Sequence, residues 1–325
     1  MTRKARDEPI RAHQQAPVVA SLNLSPRPGD VASNLLMARH AHPALQWIVL
    51  PELFTSAYSS LAHVHHYAES ATEGESARFF SALAHEQDLH IAYGFPEQLP
   101  IGGVSDSVNL VGPMKGGLEE LTSSSVLLTY RKRHLVRTTG EDLVFVGGAE
   151  LPVVEAGGMR VALVVCWDLG FPEVVREAAL AGAELILAPA GWREPWGNQY
   201  SLSCAARALD NAVYLASANQ VGIYPEATFG TAGGVYGPDG VVCVSEGTVV
   251  PSDIEGAIPG GVPSGVPGGV PGGVLSGVLS VAEVDPGFPG RWRSFYGDTV
   301  LDGRSFERRV FHLEVSLEVR LEACS

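Results

Sequence analysis

VALVVCWDLGFPE, residues 161–173, joins an apolar run rich in β-branched residues to a polar turn. The run is typical of a buried strand, and it ends on Cys166. The FPE that closes the stretch is typical of a helix start. A lone cysteine is most often a small buried hydrophobe inside such a run, whereas this thiol lies at the strand exit. Because open α/β sheets place ligand sites at strand exits of this kind, Cys166 is a candidate functional residue.

Strands and helices alternate on both sides of this stretch. This alternation predicts an α/β layered domain whose strands are buried on both faces. The predicted strands are WIVLPEL (47–53), HIAYGFPE (90–97), SVNLVGP (107–113), SSVLLTYRKRHL (124–135), MRVALVVCW (159–167), ELILAPAGW (184–192) and AVYLASANQVG (212–222). The predicted helices are ARFFSALAHEQDL (77–89), PEVVREAALAGA (172–183) and SLSCAARALDNA (201–212).

Two segments differ in composition from the rest of the chain. Residues 1–16 are polar and predict a disordered N-terminal tail, which leaves 17–325 as a single domain. A Gly/Pro-rich low-complexity insertion is predicted at about 255–280, with the four-residue units VPSG, VPGG, VPGG and VLSG. Its prolines exclude a helix or a central strand, and its period is too short for a solenoid. We expect an expanded surface loop between two strands, with an elastic or partner-binding segment as the alternative.

Composition and charge argue against several functions. The 325 residues carry a net charge of -14 without a basic stripe, so nucleic acid is not expected as a partner. The four cysteines show no CxxC pairing, which argues against a disulfide framework or a zinc site and favours the cytoplasm. No apolar run of about 18 residues occurs outside the Gly/Pro-rich tract, and the N-terminus lacks the apolar segment of a signal peptide. We therefore expect no association with a membrane.

A nucleophilic cysteine needs a base and a group that stabilises negative charge. No histidine follows Cys166 at a strand end with a later Asn or Asp, as a papain-like arrangement would need. Glu52 lies at the exit of WIVLPEL, and Lys132 lies in TYRKRHL at the end of another β-rich run. Each alone is more often a surface charge or part of an ion pair. At one sheet edge, however, the carboxylate would accept the thiol proton and the ammonium would stabilise a tetrahedral intermediate.

Three stretches in this order, LPELF (50–54), YRKRHL (130–135) and CWDLGFPE (166–173), resemble the signature segments of the nitrilase superfamily, the carbon–nitrogen hydrolases with a Glu-Lys-Cys triad. The resemblance runs from about residue 17 to residue 310. Asp30 and Asn34 fit the first helix of this family, and SVNLVGP fits its hairpin before the lysine strand. The sequence departs from the family pattern at Gly233 in FGTAG, where a serine is usual.

The resemblance implies a four-layer αββα sandwich and a role for each matching residue. Glu52 would be the general base, Lys132 the stabiliser of the tetrahedral intermediate, and Cys166 the nucleophile that forms a thioester acyl-enzyme. Glu141 would support Lys132 or the attacking water, and the backbone N–H of Trp167 would contribute to the oxyanion hole. The resemblance implies a homodimer or a larger homo-oligomer, and it implies neither a metal nor an organic cofactor.

The residues that follow Cys166, WDLGFPE, are similar to those of the amidase and carbamoylase branches of the superfamily. The implied reaction is hydrolysis of a non-peptide C–N bond, amide or N-carbamoyl, in a small-molecule substrate, with release of ammonia or an amine. Nitrile hydrolysis and acyl transfer to an amine use the same triad and remain alternatives.

Aromatic residues just beyond the strand exits are candidates for the substrate pocket. Tyr58, Trp167 and Trp192 would line an apolar pocket, although packing in the core or at a dimer interface explains them equally well. Arg193 and Glu194 would contact a charged substrate group, or be solvated like most loop charges. His134 is expected to orient the end of its strand.

Two rival classes remain open. His63, His65 and His66 form the cluster HVHH, which would suit a zinc-dependent hydrolase, although no further ligand pattern accompanies it. The other rival is a noncatalytic binding or scaffold module of the same fold. The joint presence of a glutamate, a lysine and a cysteine at three strand exits argues against this second rival.

Overall fold

The computed structural model describes residues 16–24, 35–36, 38–40, 42–58, 61–113, 125–224, 227–243, 248–250 and 277–295. The predicted tail up to residue 15, Asp30, Asn34 and the insertion up to residue 276 lie outside these residues. The division into a tail and a single domain 17–325 therefore stays a prediction.

The described elements follow the predicted alternation of strands and helices. The strands are β1 Val18–Asn23, β2 Leu45–Val49, β3 His90–Gln98, β4 Val104–Val111, β5 Val126–Arg131, β6 Val153–Ala156, β7 Met159–Leu163, β8 Leu185–Ala190, β9 Tyr214–Asn219, β10 Gly222–Ile223, β11 Thr228–Phe229, β12 Val235–Tyr236, β13 Thr248–Val250 and β14 Gly277–Glu283. The helices are α1 Glu75–Gln87, α2 Glu141–Val144, α3 Pro172–Leu180, α4 Gly197–Asn211 and α5 Phe288–Phe295.

Two β-sheets form the centre of the fold. The first has the strand order β13-β14-β1-β2-β3-β4-β5, and the second has the order β12-β9-β8-β7-β6. Strands β1, β2 and β3 run parallel, as do β7, β8 and β9. Because parallel neighbours end at the same edge, the residues that follow β2, β7 and β8 are brought to one side of the molecule.

The two sheets pack face to face, with β1 against β9 and β2 against β8. Side chains alternate along β1, so Val19 packs toward the second sheet while Val18 and Ala20 pack toward the helical layer. Helix α1 covers the outer face of the first sheet through side chains such as Phe80. Helices α3 and α4 cover the second sheet. The predicted four-layer αββα sandwich is confirmed.

The strand that carries the cysteine is shorter than predicted. Strand β7 ends at Leu163, although the N–H of Val164 still donates to Leu187 O over 3.1 Å. Cys166 then opens a short 3-10 turn, Cys166–Gly170, with a positive φ that cannot continue the ladder. The thiol therefore lies just beyond the strand and not on it.

Strand β14 begins at Gly277, inside the insertion predicted at about 255–280. The repeat itself explains this boundary. Leu275 and Leu279 stand where the earlier units have proline, so backbone N–H groups become available for pairing. Strand β14 then pairs with β1 on one side and with β13 on the other.

None of the helices in the described ranges is both long enough and apolar enough to span a membrane.

Candidate active site

Three buried carboxyl groups surround the ammonium of Lys132. Its Nζ atom lies 2.6 Å from Glu52 Oε1, 2.9 Å from Glu141 Oε1 and 3.5 Å from Asp106 Oδ2. All four side chains are fully buried. Although burial lowers the pKa of Lys132, the nearby Glu52 and Glu141 carboxylates raise it well above its usual value. Lys132 is therefore a stable cation at neutral pH.

Backbone hydrogen bonds fix Lys132 at the end of β5. Its N–H donates to Asp106 O over 2.8 Å, and its C=O accepts a hydrogen bond of 2.9 Å from the N–H of Gly148. Because side chains alternate, Arg131 points to the opposite face, where its guanidinium lies 2.6 Å from Glu97. The register of β5 thus directs the lysine inward and the arginine outward.

Glu52 enters the site through close backbone packing. Its N–H donates to Ala190 O over 3.3 Å, at the exit of β8. A Cβ atom at Gly94 would lie 2.9 Å from Glu52 Cα, and one at Gly191 would lie 2.9 Å from Glu52 Oε2. These glycines therefore leave the space that the glutamate occupies. Glu52 Oε1 binds Lys132, whereas Oε2 accepts no hydrogen bond from the described residues and is free to act as a base.

Asp168 holds the turn that carries Cys166. The φ of Cys166 is 44°, a left-handed conformation that costs a residue with a side chain roughly 1 kcal/mol. Asp168 Oδ2 accepts hydrogen bonds from Tyr130 Oη at 2.8 Å and from the N–H of Val165 at 3.1 Å. Asp168 Oδ1 accepts a bond of 3.0 Å from the N–H of His134. These contacts stabilise the strained turn.

The Cys166 thiol shares the buried pocket with the charged groups. Burial raises its pKa well above the usual value, and the Glu52 carboxylate raises it further. The Lys132 ammonium and a hydrogen bond from the backbone of Gly191 lower this pKa, but by less than burial and Glu52 raise it. At neutral pH the group is therefore a thiol, which needs a base before it can attack.

Glu141 begins helix α2 and has both carboxylate oxygens occupied. Oε1 accepts from Lys132 Nζ and from Tyr58 Oη, and Oε2 accepts a hydrogen bond of 2.8 Å from the N–H of Val136. This arrangement fits a group that holds Lys132 in place, and it leaves no oxygen free to accept a proton.

Comparison with known proteins agrees with this geometry. The family model described as carbon–nitrogen hydrolase matches residues 18–249. The chain belongs to this family.

Relatives of this carbon–nitrogen hydrolase are found in bacteria and yeast. A protein of Pseudomonas protegens called a hydrolase in the pqqF 5′ region is 34% identical over 227 residues, which are 68% of this chain and 76% of that protein. A probable nitrilase of Schizosaccharomyces pombe is 32% identical over 231 residues, 69% of this chain and 82% of that protein. Others are named amidases or omega-amidases.

A solved structure is also similar. It is a mutant of the amidase from Nesterenkonia sp. AN1, showing Michael addition of acrylamide at its active-site cysteine. It aligns with a TM-score of 0.63 and 25% identity over 91% of this chain and 99% of that chain. The predictions of the nitrilase superfamily and of C–N bond hydrolysis are confirmed.

The hydrolase brings the predicted pocket aromatics to the site. The Lys132 ammonium lies 5.9 Å from the centre of the Tyr58 ring, whose hydroxyl donates to Glu141. The rings of Trp167 and Trp192 pack with centroids 5.3 Å apart, the first half-buried and the second buried. A substrate-binding role for Tyr58 and Trp192 stays a prediction.

The histidines have different positions in the hydrolase. His134 Nδ1 lies 2.8 Å from Asp168 Oδ1, so His134 contacts the turn that carries Cys166, and its orienting role stays a prediction. His63, His65 and His66 are exposed on the 3-10 turn Leu61–Tyr67. Within the described ranges, no other metal-ligating side chain joins these three histidines.

The sequence did not predict a role for Asp106, and it left open the effect of Gly233. Asp106 was not singled out, although it shares one face of β4 with Val104 and Val108 and is the only carboxylate there. Gly233 stands where the family usually has serine, and a Cβ atom at this position would lie 2.0 Å from Ser217 O. The local packing therefore requires the glycine.

Proposed function

We propose that this hydrolase cleaves the C–N bond of an amide-type substrate through a thioester on Cys166. The observation that carries the proposal is the buried Lys132 ammonium between Glu52 and Glu141, beside the Cys166 thiol. A base, a cation and a nucleophile in one pocket are the groups that acyl transfer requires. The likeness to an amidase with a modified active-site cysteine supports the same reaction.

In the first step Glu52 accepts the thiol proton as the sulfur attacks the carbonyl carbon. The electron pair of the carbonyl π bond moves to oxygen, which becomes an oxyanion. The Lys132 ammonium and the backbone N–H of Trp167 stabilise this oxyanion. Trp167 suits this role because the first N–H groups of a helical turn lack an acceptor inside the turn.

The tetrahedral intermediate then collapses and the C–N bond breaks. The proton held by Glu52 passes to the leaving nitrogen, so ammonia or an amine departs and a thioester remains. Water attacks the thioester after giving a proton to Glu52. That proton returns to sulfur when the acid is released, which restores the thiol and the carboxylate.

Glu141 has a supporting role in this mechanism. Its Oε1 atom binds Lys132 and Tyr58, and its Oε2 atom binds the backbone of Val136. We therefore assign it to holding Lys132 and not to activating water. Tyr58 and Trp192 are proposed to line the substrate pocket.

The proposed assembly is a homodimer or larger homo-oligomer formed through α3 and α4. Leu180, Trp196 and Leu202 are large apolar side chains exposed on or beside these helices, and they offer apolar surface for a second copy to cover. Sedimentation analysis of the wild type and of Leu202→Glu tests this. A monomeric wild type would contradict the proposal.

The proposed location is the cytoplasm. Cys166, Cys204 and Cys243 are all free thiols, as a reducing compartment would keep them. Cell fractionation followed by detection of the protein in a membrane or extracellular fraction would contradict this.

A substrate screen with mass spectrometry tests the reaction. Short amides, N-carbamoyl amino acids and nitriles are offered to the wild type, to Cys166→Ala and to the control Cys204→Ala. We expect release of ammonia or amine from amides and an acyl adduct on Cys166, with turnover lowered by about 1,000-fold or more in Cys166→Ala alone. Nitrile turnover without amide turnover, or a new amide product with added amine, would favour the alternative reactions. Full activity in Cys166→Ala would overturn the mechanism.

A further inference from the structure

Asp106 is a buried carboxyl group to which the mechanism above assigns no role. It lies on β4 with no exposed surface. Neither of its carboxyl oxygens accepts a hydrogen bond from the described residues, and Lys132 Nζ lies 3.5 Å from Oδ2. One oxygen each of Asp106, Glu52 and Glu141 lie within 4.8 Å of one another.

The charges in this pocket do not balance if every carboxyl group is ionised. Glu52 faces Asp106 from the segment after β2, Lys132 from the end of β5 and Glu141 from α2. Three carboxylates and one ammonium would leave two uncompensated negative charges with no exposure to water. Such charges are very costly to bury, and the usual response is that a group takes up a proton. Arg131 on β5 does not neutralise these charges, because its guanidinium is paired with Glu97 on the opposite face of the sheet.

Geometry indicates which carboxyl group holds the proton. Glu52 and Glu141 both lie within hydrogen-bond distance of the Lys132 ammonium, whereas Asp106 is farther away. Burial raises the pKa of Asp106 well above its usual range, and the neighbouring Glu52 carboxylate raises it further. Two neighbouring carboxyl groups can share a hydrogen bond only when one of them is protonated.

We propose that Asp106 is a positioning residue that keeps its proton at neutral pH and donates it in a hydrogen bond to the Glu52 carboxylate. This inference rests on the proposed function in one respect, namely that Glu52 is the base. The hydrogen bond aims the Glu52 carboxylate and keeps the negative charge on it. If the proton were on Glu52 and not on Asp106, Glu52 could not accept the thiol proton and would not act as the base.

Two substitutions distinguish a protonated Asp106, which donates a hydrogen bond, from an ionised Asp106, which carries a negative charge. Asp106→Asn removes the acid but keeps a donor of similar shape, and Asp106→Leu removes the donor as well. We expect kcat/KM at neutral pH to fall by about threefold in the first and by about 100-fold in the second, because a hydrogen bond to a charged group is lost. The exposed Asp142→Asn serves as the control with wild-type activity. Equal large losses in both Asp106 variants would overturn the proposal.

Infrared difference spectroscopy reads the proton directly. We expect a carbonyl band of a protonated carboxylic acid at neutral pH, sensitive to deuteration, that is present in the wild type and absent in Asp106→Asn. A carboxylate band in its place would overturn the proposal even if Asp106→Leu fails to fold. The same measurement in Cys166→Ala tests the protonation of Asp106 separately from the proposed reaction, because the band does not depend on turnover. If Cys166→Ala stays active while the band persists, the proposed function fails and the protonated Asp106 stands.

Discussion

Tyr130 Oη donates a hydrogen bond of 2.8 Å to Asp168 Oδ2, and this contact joins the strand before Lys132 to the turn that carries Cys166. Burial and the Asp168 carboxylate raise the pKa of Tyr130 far above its usual value, so the hydroxyl is always available as a donor. This polar contact thus joins the two sheets next to the site, and we expect the relative position of Lys132 and Cys166 to depend on it.

Asp168→Asn should weaken this contact between the two sheets. An amide has a single acceptor oxygen, so the hydrogen bonds from Tyr130, Val165 and His134 cannot all be kept. We expect the free energy of unfolding to fall by about 1–3 kcal/mol and kcat/KM to fall at least about 10-fold. Denaturant titration and kinetics measure both. Asp88→Asn, at an exposed left-handed position that tolerates Asn, is the control, and equal effects in both variants would contradict the assignment.

Gly191→Ala should displace the Glu52 side chain without disturbing the backbone. The added methyl carbon would lie 2.9 Å from Glu52 Oε2 and 3.0 Å from Tyr58 Cγ, so one of these groups must move. We expect kcat/KM to fall by about 100-fold, because misplacement of a catalytic group by about 1 Å has effects of this size. Gly290→Ala on α5 is the control, since its Cβ would meet nothing within 4 Å. Wild-type kinetics in Gly191→Ala would show that Glu52 Oε2 needs no such space.

The ionisation of Cys166 should occur at unusually high pH. Its buried position and the Glu52 carboxylate raise its pKa, so the thiolate should be nearly absent at about pH 8, close to where free thiols titrate. Thiolate ultraviolet absorbance, recorded as wild type minus Cys166→Ser, measures this. Burial raises the pKa of Cys204 to about 12 and that of Cys243 to about 11, so these residues add no signal in this range. A thiolate band already present at about pH 6 would contradict the need for a base.

Asp106→Asn should change the pH dependence of stability. The pKa of Asp106 is raised in the folded state, so the folded protein binds a proton that the unfolded chain releases above about pH 4. The wild type therefore loses stability as pH rises from that value toward the folded-state pKa, and the variant lacks this loss. We expect the Tm of Asp106→Asn to exceed that of the wild type by about 2 °C or more at about pH 8, with the difference vanishing near pH 4. A constant difference across this range would indicate an ionised Asp106.

The strand-exit positions of Glu52, Lys132 and Cys166, together with the resemblance of their segments to the nitrilase superfamily, predict the triad. The alternation of elements similarly predicts the sandwich. Asp106 and Gly191 could not be found in this way, because their effect on Glu52 depends on distances between segments far apart in the chain. The left-handed φ of Cys166 could not be predicted from the sequence either. A contact with Asp168 stabilises this conformation, and no glycine at the position marks it.

Strand β13 pairs with β14 through Val250 and Gly277, so residues 251–276 leave and rejoin the sheet at facing positions. The sheet therefore fixes where this connection is anchored but not how many residues it contains. Each doubling of a loop adds only about 0.6 kcal/mol to the free energy of closing it. We therefore expect that a unit such as VPGG can be added or removed in the gene without moving Glu52, Lys132 or Cys166.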